Sequence, residues 1–351
     1  MEFLKPVALI RYTLNYSSPR FFGVFLKYLL AAWIVLLSVN SSFAETGKSR
    51  ASPETQSANA ASKLRSYHWN HGSPDCRSNT DPAIEVFSYD HSSYILRQNK
   101  CQSFEAPFIY VLIGREKVLV LDTGAPESAE NFPLYETIQK LLEDPSVKKS
   151  KKPRELVVVH SHSHRDHYSG DSQFEGKPNV TIIEPNYASI IQFFQFDNWP
   201  DGRASFQLGD REIIIIPTPG HQEEAISIYD SQTHWLLTGD TLYPGYIYIK
   251  DWSDYKQSIA RLVVFSETHA ISALLGGHIE MTREPGEYYP VGTVYQPNEA
   301  PLTLSLESLL ALHAVLGKTN KAQEIKRSEF IVVPMSTFQK TLSDIARWIV
   351  Q

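Results

Sequence analysis

The sequence predicts an α+β domain of sheets that carry helices on their outer faces. Two observations lead there. Beyond residue 80, short β-branched runs alternate with segments of helical spacing, and layered packing is how such elements bury their apolar faces. Hydrophobic residues make up 42% and charged residues 21% of the 351, an ordinary globular composition with ample material for a core. The formal net charge is −6, whereas a protein that grips phosphate backbones carries a basic excess. Two cysteines exclude a cysteine-rich zinc module and a disulfide-dense miniprotein.

The first 44 residues stand apart from that body. Phe21–Val39 is apolar apart from Lys27, and Lys5, Arg11, Arg20 and Lys27 supply positive charge ahead of its purest stretch. Ser42-Phe43-Ala44 then places small residues where a signal peptidase reads. These are the marks of a secretory signal peptide. An uncleaved anchor is the alternative, since about 18 apolar residues just span a bilayer. The expected location is periplasmic or secreted, with membrane attachment only through residues 21–39 if the segment is retained. Loss of residues 1–44 removes four Lys/Arg and one Glu and takes the formal charge from −6 to −9, so no nucleic-acid partner is expected. Residues 45–65 lack aromatic and β-branched core formers apart from Thr and read as a flexible linker to a domain over 66–351. Cys76 and Cys101 lie in the exported part. An oxidising compartment favours a disulfide between them, closing a loop of about 25 residues and stabilising by roughly 3 kcal/mol.

Phe108–Ile113 and Lys117–Leu121 are β-branched runs separated by Gly114-Arg115-Glu116, the pattern of a hairpin. Glu136–Leu142 has helical spacing, and Leu156–Val159, Val180–Ile183 and Ile213–Ile216 are continuous apolar runs that suit strands buried on both faces. Helices are expected at Ala188–Phe196 and Lys256–Phe265, and strands at Ala225–Tyr229, Trp235–Leu237 and Ile271–Leu275. From Thr303 the apolar positions Leu304, Leu306, Leu309, Leu310, Leu312 and Leu316 space as an amphipathic helix that packs on the core, and Leu342–Val350 reads as a terminal one. The segment from about 281 onward is thus expected to be a helical extension. Lys148–Lys152 is a short basic run that suits a solvated loop, and His68 and His71 flank Trp69 as surface residues.

Directly after Leu156–Val159 comes His160-Ser161-His162-Ser163-His164-Arg165-Asp166-His167. Four of the chain's 12 histidines and an aspartate fall within eight residues. Neutral imidazoles and a carboxylate are the donors that suit Zn²⁺ and related divalent ions. In a loop leaving a strand, alternating residues point at one centre, so His162 and His164 can share an ion while Asp166 and His167 turn toward a second position.

The stretch His162-x-His164-x-Asp166-His167 after an apolar strand resembles the signature of the metallo-β-lactamase superfamily, and further motifs follow in family order over roughly residues 84–280. Asp122 ends the strand in Leu119-Val120-Leu121-Asp122-Thr123, His221 follows Thr218-Pro219-Gly220, Asp240 closes Leu237-Thr238-Gly239, and His278 closes Leu274-Leu275-Gly276-Gly277. The resemblance implies a four-layer αββα sandwich. It also implies a first metal position held by His162, His164 and His221, a second held by Asp166, His167 and His278, and Asp240 bridging. Two zinc ions are the expected cofactors, with Fe or Mn able to occupy similar sites. A metal-bound hydroxide would be the nucleophile, and Asp166 would be the catalytic residue that both ligates and orients it. Asp122 resembles a residue that fixes the histidine loop from behind the ligands, and His160 reads as core or as a second residue of that kind.

The superfamily hosts many chemistries, so the fold decides little. In true β-lactamases of the superfamily the position of Asp240 is usually Cys or Ser, which disfavours β-lactam hydrolysis as the main activity. Its nucleases carry basic surfaces and an insertion that this chain lacks between His167 and His221. Its persulfide dioxygenases bind one iron and serve a chiefly cytosolic thiol. Glyoxalase II-like thioesterases and lactonases keep Asp at this position. The expectation is therefore hydrolysis of an ester-type bond, thioester or lactone, in a small-molecule substrate. β-Lactam hydrolysis is the runner-up, followed by phosphodiester or nucleic-acid cleavage, iron-dependent persulfide oxidation and metal binding without turnover. Tyr243, beside Asp240, and Arg283, beyond His278, are the candidate substrate contacts: a phenol for a developing oxyanion and a guanidinium for an acidic group. The sequence carries no sign of oligomeric state.

Overall fold

The computed structural model describes residues 62–126, 128–147, 152–341 and 343. The expected signal segment, residues 45–61 of the expected linker, residues 148–151 of the basic run and the expected terminal helix apart from residue 343 lie outside the described residues. Residues 62–65 form a helical turn rather than linker, and Leu64 is buried among the residues between the sheets. Among the described residues no helix is long and apolar enough to cross a membrane.

The chain first lays down strands β1 (Ile84–Ser88), β2 (Ser93–Gln98), β3 (Phe108–Ile113) and β4 (Lys117–Leu121), then helix α1 (Leu134–Glu143) and strand β5 (Glu155–Val159). A short helix α2 (Arg165–Tyr168), a 3₁₀ turn at Ser169–Gln173, strand β6 (Val180–Ile182) and helix α3 (Tyr187–Phe194) follow. Strands β7 (Ala204–Gln207), β8 (Glu212–Pro217), β9 (Ile226–Asp230), β10 (Trp235–Gly239) and β11 (Tyr246–Ile249) lead to helix α4 (Trp252–Ser266) and strand β12 (Ala273–Gly276). The last elements are β13 (Thr303–Leu304), α5 (Leu306–Lys318), β14 (Ile325–Lys326) and β15 (Ile331–Pro334). One six-stranded sheet has the order β1-β2-β3-β4-β5-β6, the other β13-β12-β10-β9-β8-β7, and β11-β15-β14 form a small third sheet.

The period-two alternation of strand side chains sorts the apolar residues into three layers. Leu119 and Val157 of the first sheet meet Ile215, Ile228, Leu237 and Leu275 of the second in one buried cluster. Their immediate neighbours point the other way: Val120 and Val158 pack with Leu134 and Ile138 of α1, while Ile216, Leu236 and Leu274 pack with Ile259 and Leu262 of α4 and Leu309 and Leu312 of α5. Helix, sheet, sheet, helix is the expected αββα sandwich. The expected disulfide joins Cys76 to Cys101.

Several elements differ from expectation for local reasons. Thr303–Leu304 is not helical but pairs with Leu274–Leu275 as β13, and α5 starts only after Ser305, whose side chain accepts from the Ser308 amide. The segment after residue 281 therefore contributes strands β13, β14 and β15 as well as a helix. Helix α3 ends at Phe194 because Gln195 takes the left-handed conformation, φ 55°. Strands β1, β2, β7, β11, β14 and β15 are not among the elements expected from the sequence, although β11 and β15 are apolar runs. In β2 the polar Arg97 is fully buried and forks onto Glu299 with two 2.6 Å bonds.

At the rim where β8 begins and β9 ends, Arg211 joins the two sheets. Its Nε and Nη2 donate to the two Asp230 oxygens at 2.6 Å, Nη1 to the Ser92 carbonyl at 2.7 Å and Nη2 to Ser93 Oγ at 3.0 Å. Burial alone would raise the Asp230 carboxyl, but Arg211 holds it below its ordinary value. The pair's contribution is present above the unfolded-state value, about 3.9, and fades as pH falls through the lower folded value. Removing Arg211 strands a buried carboxylate, so Arg211→Ala is expected to cost about 3–5 kcal/mol. Urea unfolding at pH 7 checks this; a loss below 1 kcal/mol would refute the clamp.

Candidate metal centre

Five strands end at one edge of the sandwich, and each delivers a chemical group there. Strand β4 runs parallel to β5 with Leu121 opposite Val159, so Asp122 and the loop from His160 leave side by side. Strands β10 and β12 are parallel, with Gly239 opposite Gly276, so Asp240 and His278 emerge together. His221 follows the end of β8. Asp122 leaves its strand at φ 68°, a left-handed conformation that aspartate tolerates better than most residues. Gly277 is required by close approach: a Cβ there would stand 2.5 Å from Asp240 Oδ1.

All seven expected ligands come together, in two groups. In each, the nearest donor atoms of His162, His164, His221 and Asp240, or of Asp166, His167 and His278, lie within 4.8 Å of one another. His164 Nδ1 is 3.0 Å from His162 Nε2 and 3.1 Å from His221 Nε2. Asp166 Oδ2 is 3.2 Å from both His167 Nε2 and His278 Nε2, which are themselves 3.2 Å apart. Asp240 faces both groups. Its Oδ2 lies 3.8 Å from His162 Nε2 and 3.6 Å from His221 Nε2, and its Oδ1 lies 3.7 Å from His167 Nε2 and 3.5 Å from His278 Nε2.

The outward nitrogens decide what the inward ones can do, because a neutral imidazole has one N–H and one lone pair. His221 Nδ1 donates to the Tyr248 carbonyl at 2.7 Å, His278 Nδ1 to the Glu105 carbonyl at 2.9 Å and His167 Nδ1 to Asp122 Oδ2 at 2.9 Å. Ser161 Oγ, which donates to Asp122 Oδ2 at 3.0 Å, accepts from His162 Nδ1 at 3.1 Å. In its neutral form each of these four imidazoles turns an Nε2 lone pair inward. Lone pairs and carboxylate oxygens at 3.2 Å repel unless a proton or a metal cation stands among them. Asp240 Oδ1, buried with no hydrogen-bond partner, makes the same demand. The donor set fits a pair of divalent ions of the zinc kind.

Burial and the neighbouring imidazoles hold His162 well below the ordinary histidine value. Burial lowers His164 to about 3 and His221 to about 4, so all three are neutral at pH 7. In the second group burial also lowers the histidines, but the carboxylates outweigh it. Asp166, Asp122 and Asp240 raise His167 well above its ordinary value, and Asp240 and Asp166 raise His278 to about 9. Burial would raise Asp166, yet His167 and His278 hold it well below the carboxylate range.

Asp122 stands behind the ligands as expected, accepting also from the Ser161 amide at 2.7 Å. His160 is buried beside them without joining either group: its Nδ1 is 3.1 Å from the His167 carbonyl and its Nε2 3.1 Å from Asp171 Oδ2. The two residues expected to contact substrate have protein partners. Tyr243 is buried with its hydroxyl on Glu280 Oε2 at 3.2 Å and the Tyr246 carbonyl at 3.3 Å, its ring packed 5.6 Å from that of His278. That phenol donates to Glu280, and burial raises it far above its ordinary value. Arg283 is exposed and lies 3.2 Å from His68 Nδ1, outside both groups. Sequence reading passed over Ser161, Gln222 and Glu224, whose carboxylate accepts the Ser163 amide at 3.0 Å. It also passed over the carbonyls of Tyr248 and Glu105. The one available signal was that Gln222 and Glu224 adjoin His221.

The sequence profile of the metallo-beta-lactamase superfamily matches residues 104–312. The chain belongs to this superfamily. It is a hydrolase of the metallo-beta-lactamase fold with a possible metal site. It is similar to the human acyl-coenzyme A thioesterase MBLAC2, 26% identical over 205 residues that span 48% of this chain and 72% of the relative. The hydroxyacylglutathione hydrolase of Brucella ovis is 34% identical over 86 residues, 24% of this chain and 33% of that protein. Among solved structures, TMB-1 aligns with TM-score 0.46 at 16% identity over 69% of this chain and all of its own. A metallo-beta-lactamase from Pontibacter korlensis aligns with TM-score 0.42 at 17% identity over 67% of this chain and all of its own.

Removing the Asp122 carboxylate leaves the buried Ser161 amide and hydroxyl without their acceptor and His167 Nδ1 with only Ser161 Oγ, 3.3 Å away. Asp122→Ala is expected to cost about 1–3 kcal/mol for each stranded group, read as a lower urea midpoint with chelator present throughout. An unchanged midpoint would show that these hydrogen bonds do not shape the loop.

Proposed function

We propose that this hydrolase is exported, holds two zinc ions and cleaves a thioester or lactone in a small molecule. The observation that carries the reading is the pair of donor groups facing one carboxylate: His162, His164 and His221 on one side of Asp240, and Asp166, His167 and His278 on the other. The first three would hold one ion, the second three the other, and Asp240 would offer one oxygen to each. Zinc bound there supplies Lewis acidity and makes a water acidic enough, pKa about 7, to act as a nucleophile at neutral pH.

The chain's own residues do the rest. Asp166 would accept a hydrogen bond from the attacking water and orient it; its being the more exposed carboxylate of the set, at 17% against 9% for Asp240, supports this role. The Tyr248 and Glu105 carbonyls keep His221 and His278 in one tautomer and one ring plane. An aspartate at position 240, rather than the Cys or Ser usual in β-lactamases of the superfamily, supports an ester-type substrate over a β-lactam. The relatives' names support a thioester in particular: one is an acyl-coenzyme A thioesterase and another a hydroxyacylglutathione hydrolase. Export rests on the charged, apolar and small-residue stretches of residues 1–44.

Metal analysis of the purified chain, run beside hydrolysis of a thioester, lactone, β-lactam and phosphodiester panel, tests this directly. About two zinc per chain with turnover of thioester or lactone is expected. A single iron with oxygen uptake and no hydrolysis would overturn the mechanism, and turnover of β-lactams alone would replace the substrate class. His164→Ala is expected to abolish hydrolysis and lower the metal content; unchanged turnover would remove the assignment. N-terminal sequencing of the protein from an exporting host is expected to begin at Glu45, and an intact Met1 in the membrane fraction would establish the anchor instead.

A further inference from the structure

Gln222, next to His221, sits where a side-chain amide can decide which nitrogen of His164 carries the proton. Its Nε2 lies 2.6 Å from His164 Nε2, while its Oε1 is buried without a hydrogen-bond partner. The other His164 nitrogen, Nδ1, points at His162 Nε2 and His221 Nε2, 3.0 and 3.1 Å away. If the amide donates, His164 Nε2 must accept, so Nδ1 bears the hydrogen and donates it to its two neighbours. If the amide is turned over, its oxygen accepts the Nε2 hydrogen, and Nδ1 presents a lone pair to the point where those of His162 and His221 converge. The two orientations differ only by exchanging O for N, groups of nearly equal size. Only the second offers three lone pairs at one point, which a cation requires.

We propose that Gln222 is a positioning residue whose amide selects the tautomer of His164, and that filling of the first metal position turns this amide over. Gln222 is 2% exposed. Ser343 Oγ lies 3.5 Å from the amide nitrogen, and its hydroxyl can donate to the oxygen once the amide has turned. The inference rests on the two-metal reading above, and its test separates the two.

The test is zinc titration of the full chain against a competing chelator, with the ¹⁵N shifts of the His164 ring recorded before and after loading. Gln222→Leu removes the acceptor and is expected to weaken the first zinc by about 10–100-fold. Gln222→Glu offers only acceptors and is expected to keep or exceed the wild-type affinity, with the His164 hydrogen on Nε2 even before zinc is added. In the wild type that hydrogen is expected to move from Nδ1 to Nε2 on loading. Zinc binding by both variants as in the wild type would overturn the selection, and a wild-type hydrogen already on Nε2 without zinc would overturn the turning of the amide. A wild-type chain that binds no zinc would instead remove the two-metal reading.

Discussion

Asp122 leaves β4 in the left-handed region and turns its carboxylate back toward the loop after β5, where it accepts from the Ser161 amide, the Ser161 hydroxyl and His167 Nδ1. One buried anion thereby bends the loop and sets the tautomer of one histidine directly. Through Ser161 Oγ it sets that of a second, His162. The remaining ligands arrive from strands whose parallel pairing is fixed by the core, so the geometry of both groups depends on that carboxylate and on two strand registers. A mobile loop of histidines would have no reason to converge. This one converges because its backbone and side-chain donors have a single acceptor to reach.

Like groups so placed repel one another, and the fold offsets this in different ways for the two groups. The histidines of the first are held neutral by burial, so their cost is mainly dehydration. Those of the second stand among Asp166, Asp122 and Asp240, which pull them toward the charged form. Burial also pushes Glu105, in the segment that carries the carbonyl holding His278, up to about 7, with Asp166 reinforcing it. The second group is thus rich in negative charge and the first rich in neutral nitrogen, so the two offer unlike surroundings to a cation.

The seven clustered donor residues were legible in the sequence because metal chemistry demands particular side chains at particular strand ends, and these appear in order. The layers were legible because strands such as Leu156–Val159 are apolar on both faces. What escaped detection was of two kinds. Tyr243 was placed correctly beside the site, but its partner, Glu280, lies 37 residues away, and no local pattern says which way a phenol turns. Strand β2 escaped because Arg97, Gln98 and Ser93 read as surface, although Glu299, 202 residues distant, gives Arg97 its buried partner. A two-residue strand such as Thr303–Leu304 looks like the first turn of the helix that follows it.

The acceptors that hold His221 and His278 are main-chain carbonyls, those of Tyr248 and Glu105. A carbonyl is present whatever side chain its residue bears. The side chains at 105 and 248 are half-buried and take no part in these two hydrogen bonds. A substitution at either position can therefore change the charge or shape beside an imidazole without taking away the acceptor that aims it.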